Sequence, residues 1–145
     1  MALTEEKLEK IESLLANERS EWSKQIQKLV KDISEPSKLA KAQTHMLSYR
    51  HMIVDKIMDL RVLLSKKKAN DSNFTKTRYQ YYKTNHDVRL DHREIMEYIK
   101  SDMSLRNRET GLIEHQVDYY KQAIETLDKM GFAIKNRVIL ATNDI

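Results

Sequence analysis

Residues 113–138 read IEHQVDYYKQAIETLDKMGFAIKNRV. Within them Ile113, Val117, Tyr120, Ile124, Leu127, Gly131, Ile134 and Val138 recur at alternating intervals of four and three. That spacing places them on one face of a helix and predicts a coiled-coil-like seam. In a strand the same positions would fall on both faces of the sheet. Gly131 sits in the seam, where glycine weakens a helix by about 1 kcal/mol relative to alanine. Either it ends the helix as a cap or its missing side chain admits a close neighbour. Apolar residues resume in register at Ile134, so the expectation is one helix over 104–141 that continues through the glycine.

Working outward, residues 4–33 carry Leu8, Ile11, Leu15, Trp22, Ile26, Leu29 and Ile33 at helical spacing. Thr4 is the expected N-cap, followed by Glu5, Glu6 and Glu9 at the positive end of the helix dipole. Pro36 closes that helix and opens the next, over 36–82, in which Met46, Ile53, Ile57, Leu60 and Leu64 keep the pattern and Arg50 takes a seam position. Residues 70–73 (NDSN) have loop chemistry, and residues 74–82 (FTKTRYQYY) have strand propensity. A lone strand would have no partner, so helix is expected there too. Residues 83–91 (KTNHDVRLD) read as a connector, and 92–102 as a short helix with Ile95, Tyr98, Ile99 and Met103 on overlapping turns.

The whole is a single helical domain of 145 residues with two Gly, one Pro and no Cys. So few turn formers exclude a many-stranded sandwich or barrel. Without cysteine there is no disulfide framework, thiol nucleophile or cysteine-based zinc site. Apolar runs are too short for a membrane span. With 33% charged residues the apolar complement is small for the length. The fold class is therefore all-α, with long helices whose C-terminal seam is expected to associate with other copies of the chain.

The net charge of +4 is unevenly placed. Between positions 61 and 93 nine cations (Arg61, Lys66, Lys67, Lys68, Lys76, Arg78, Lys83, Arg89, Arg93) face Asp71, Asp87 and Asp91. This surplus of six leaves the remainder slightly acidic, which localises any polyanion-binding surface to that third of the chain. Inside it Lys76 and Arg78 alternate with Phe74, Tyr79, Tyr81 and Tyr82. Cations neutralise phosphates and release counterions, while aromatic faces stack on unpaired bases without reading them. A solvated basic face with packed tyrosines explains the same composition equally well.

Lys76-x-Arg78-x-x-Tyr81-Tyr82 resembles the Lys-x-Arg-x-x-Tyr-Tyr element of the UvsY recombination mediators of T-even-like bacteriophages. Three further stretches are similar in the same order: Asp32-Ile33 through Ser37-Lys38-Leu39 to Met46-Leu47; Glu94-Ile95-Met96 followed by Ile99, Ser101 and Asp102; and Tyr119-Tyr120, Ile124, Leu127 and Gly131-Phe132-Ala133-Ile134-Lys135. About the first twenty residues, and Trp22, extend beyond the pattern, and Lys83-Thr84 replaces the small residue common after the tyrosine pair.

The resemblance implies a non-enzymatic helical protein that forms a six- or seven-membered ring. It implies binding of single-stranded DNA, and contacts with the phage recombinase and the phage single-strand-binding protein in the cytoplasm of the infected host. Lys76 and Arg78 inherit the DNA contact, with Tyr81, Tyr82, Lys66, Lys67, Lys68 and Lys83 around them. Tyr120, Ile124, Leu127, Gly131, Phe132, Ile134 and Val138 inherit self-assembly. No cofactor or metal is implied.

Catalysis has no candidate in the residues themselves. His45, His51, His86, His92 and His115 form no HExxH or paired motif, and no glycine-rich phosphate loop is present. The rival to the mediator reading is a helical scaffold or adaptor without a DNA role, for which the basic window serves solubility.

Overall fold

A computed structural model describes residues 2–85 and 89–143. The described residues are all-helical. Helix α1 spans Glu5–Ile33, a 3₁₀ turn Pro36–Lys38, α2 Leu39–Thr84, α3 His92–Asp102 and α4 Ser104–Asn143.

Local chemistry sets the ends. The Thr4 hydroxyl accepts from the Lys7 amide at 3.2 Å, and the Asp91 carboxylate accepts from the Glu94 amide at 2.9 Å, capping α1 and α3. Helix α2 runs for 46 residues without Gly or Pro, about 70 Å at 1.5 Å per residue. It passes straight through the loop-like and strand-like stretches at 70–82. There the Thr75 and Thr77 hydroxyls donate to the carbonyls of Asp71 and Asn73, four residues back, so they satisfy themselves within the helix. Lys83 and Thr84 still belong to α2, so the connector expected from 83 begins later. His86, Asp87 and Val88 lie outside the described residues.

Three helices make the body. Tyr49 donates to Gln25 and Lys56 approaches Glu18, so α1 and α2 are antiparallel. Arg50 pairs with Asp128 at 2.8 Å and Arg106 with Asp71 at 3.0 Å, so α2 and α4 are antiparallel as well. The main core lies between them, built from Leu29, Ile33, Ala42, Met46, Ile53, Ile57, Tyr120, Leu127, Met130 and Ile134. A buried polar knot ties α1 to α4: Gln116 accepts from Arg19 at 2.6 Å and donates to the Leu15 carbonyl.

The long seam thus faces inward. Tyr120, Leu127 and Ile134 are 0–1% exposed within one chain, and Ile124 packs against the same core. This corrects the expectation that those three are free for another copy: α1 and α2 already cover them. Gly131 lies within the unbroken helix, where a Cβ would come 3.3 Å from the Met46 methyl. Its close neighbour is a side chain of α2. Phe132 remains 70% exposed, and Val138, Ile139 and Leu140 are exposed towards the end of α4, level with the start of α2.

At the opposite end α2 outruns the body. Residues 72–84 and α3 form a two-helix arm with a separate small core of Tyr82, Ile95 and Ile99, edged by Tyr79, Leu90 and Met103.

Candidate nucleic-acid interface

The eight residues of the basic and aromatic window do not share one fate. Lys66, Lys68, Lys76 and Lys83 are exposed, and no ion pair among the described residues involves them. Lys68, Lys76 and Lys83 fall within about 80° of one another around α2 and span about 22 Å along it, at 3.6 residues per turn and 1.5 Å per residue. They form a row on the face turned away from the body. Lys66 flanks that row, about 80° from Lys76, whereas Tyr81, 45% exposed, lies about 140–160° from the three lysines, on the other side of the helix.

Lys67 is not part of the surface. It is 8% exposed and sits between Asp71 at 3.5 Å and Glu109 of α4 at 3.1 Å. Arg106 also reaches Asp71 and lies over the Phe74 ring, 4.0 Å from its centroid. The expectation of Lys67 as a DNA contact is therefore corrected: its charge balances internal carboxylates between α2 and α4, because a buried ammonium is stable only when paired.

Arg78 and Tyr82 are committed to the arm. Arg78 Nε donates to Asp102 Oδ2 at 2.9 Å, the Tyr82 hydroxyl donates to the same oxygen at 2.6 Å, and an Arg78 terminal nitrogen donates to that hydroxyl at 2.9 Å. The guanidinium lies 4.6 Å from the Tyr81 ring centroid and 4.9 Å from that of Tyr82. The bond to the Tyr82 hydroxyl, reinforced by Asp102, holds the Arg78 charge even more firmly than usual. Burial pushes the Tyr82 phenol up, and its bond to Asp102 adds to that. Tyr98 of α3 stacks on Tyr82 with centroids 5.2 Å apart.

Asp102, Arg106 and Tyr98 escape a reading by composition. Asp102 falls in one of the stretches similar to UvsY proteins, but nothing local connects it to Arg78, 24 residues away. Among the described residues no three His, Asp or Glu side chains converge to hold a metal ion. None of the described helices is long and apolar enough to cross a membrane. No protein-family model, curated protein or solved structure matches this chain.

Proposed function

We propose that the chain is a recombination mediator: a ring-forming protein that binds single-stranded DNA and helps a phage recombinase load where the phage single-strand-binding protein already sits. The observation that carries the reading is the solvent-facing row of Lys68, Lys76 and Lys83, without acidic partners among the described residues. Such a row tracks a phosphate backbone, and the exposed Tyr81 across the helix offers a sequence-tolerant stacking face to a strand that wraps α2. Motif order along most of the chain, rather than any comparison with known proteins, supplies the mediator role.

One protomer offers three or four cations and holds DNA weakly at physiological salt. Six or seven copies in a ring make each later contact intramolecular, which raises overall affinity by orders of magnitude. A strand held on the ring's path loses the geometry preferred by the single-strand-binding protein, and differential binding then favours the recombinase. In this reading the exposed end of α4 beyond Ile134, with Val138, Ile139 and Leu140, supplies the contact between copies, and Phe132 borders it.

Titration of labelled oligo-dT at two salt concentrations tests the reading. Lys76→Ala with Lys83→Ala should weaken binding and flatten the plot of log affinity against log salt by about 0.7 per lost phosphate contact. Unchanged affinity and slope would overturn the site. The scaffold alternative draws on the exposed Leu47, Met58 and Val62 of α2, which suit a helical partner; it is the outcome if the unaltered chain ignores oligo-dT.

A further inference from the structure

We propose that Asp102 is an internal competitor for DNA phosphate: it holds Arg78 and Tyr82 in a closed contact that a strand must displace, so the end of α3 sets the affinity of the site. The inference rests on the single-strand-binding reading above.

The geometry supports an exchange. One carboxylate oxygen receives both the Arg78 Nε and the Tyr82 hydroxyl, at 2.9 and 2.6 Å. A phosphate oxygen accepts from the same two donors with the same charge-assisted chemistry. The pair is only partly buried, with side-chain exposures of 31% for Arg78 and 27% for Asp102, so a solvent-borne anion can reach it. A fully buried pair would resist exchange, and a fully exposed one would exert little hold. Arg78 also lies over Tyr81 and Tyr82, so its guanidinium stays in place when the anion changes.

The arm is suited to yielding. Its core has three buried side chains and is separate from the main core, so it opens at lower free energy than the body. Asp102 is the last residue of α3, followed by the turn at Met103, whose amide donates to Ile99 at 2.9 Å. A small movement of that turn withdraws the carboxylate without unfolding α2. Arg78 lies about 140–160° around α2 from Lys76 and Lys83. A strand first held by the lysine row must therefore wrap the arm to reach it, and Arg78 joins only when phosphate replaces Asp102. The site thereby has a weak resting state and a stronger engaged one.

The test is a cycle of variants in the full chain, read by oligo-dT titration. Asp102→Asn keeps the shape and removes the charge; it should tighten binding about tenfold, the size expected for one charge-assisted bond, and steepen the salt plot by about 0.7. Arg78→Ala should cost little in the unaltered chain and about tenfold in the Asp102→Asn chain. Asp102→Glu should restore weak binding, and Glu97→Gln, elsewhere on α3, should change nothing. Equal effects of Arg78→Ala in both backgrounds would overturn the proposal while leaving the lysine row intact. Failure of every variant, and of the unaltered chain, to bind oligo-dT would overturn both readings. A measurement without substitution guards against a misfolded arm: saturating oligo-dT should speed amide exchange at residues 100–103, and unchanged protection there would count against displacement.

Discussion

Tyr120 shows how much one side chain carries. It is fully buried, donates to Glu18 at 3.0 Å and accepts from Gln116, and burial pushes its phenol up to about 12. In the unfolded chain a tyrosine ionises near pH 10. The neutral phenol therefore contributes stability that is fully present below about pH 10 and lost as pH rises towards 12. In Tyr120→Phe that part of the alkaline loss should vanish, making the slope of unfolding free energy shallower by up to about 1.4 kcal/mol per pH unit in that window. Urea titrations at pH 9, 10 and 11 would read it. Lys67 poses the complementary case. Lys67→Met keeps the packed stem and leaves Glu109 without its cation. A loss of about 3 kcal/mol is expected, seen as a lower urea midpoint at unchanged slope, with partial recovery on adding Glu109→Gln.

At the scale of the element, the two glycines of α4 make a controlled pair. Nothing lies within 4 Å of a Cβ built on Gly111, whereas one on Gly131 meets the Met46 methyl at 3.3 Å. Gly111→Ala should stabilise by the helix-propensity difference, about 0.8 kcal/mol. Gly131→Ala gains the same propensity but must shift Met46 by a few tenths of an ångström, which a flexible thioether allows at some cost. A gain below that of Gly111→Ala is expected by thermal unfolding, and Gly131→Leu should destabilise by overpacking. Helix α2 teaches a different lesson. Its NDSN and FTKTRYQYY stretches are poor helix material by propensity, yet they are helical: the Thr75 and Thr77 hydroxyls find acceptors inside the helix, and Asp71 pairs with Lys67 on the same helix and with Arg106 of α4.

For the whole molecule the open matter is what α4 does beyond Ile134. Residues 135–140 are all exposed, and Val138, Ile139 and Leu140 are apolar. A chain ending at Ile134 keeps every core side chain of the body. It should retain its thermal midpoint and helical content, yet sediment as smaller species and bind oligo-dT weakly, because avidity is lost with assembly. Full-sized assemblies from that chain would show that the contact between copies lies elsewhere, with the apolar side chains on the outer face of α2 the next place to look. A deletion at Leu127 is a poorer test, since it also removes Met130 and Ile134 from the core.

Helix identity was legible from residues alone because its causes are local: apolar spacing, the Thr4 cap, the stop at Pro36, and the scarcity of glycine and proline. Charge localisation was equally legible, since it is a property of composition along the chain. Which cations face water was not. Lys66, Lys67 and Lys68 are indistinguishable as text, but a step of one position turns a helical side chain by 100°, and only Lys67 points at Glu109 of another helix. The same holds for Arg78, whose acid arrives from 24 residues further on, and for the seam of α4. Periodicity announces that an apolar face will be covered, while packing between distant segments chooses what covers it.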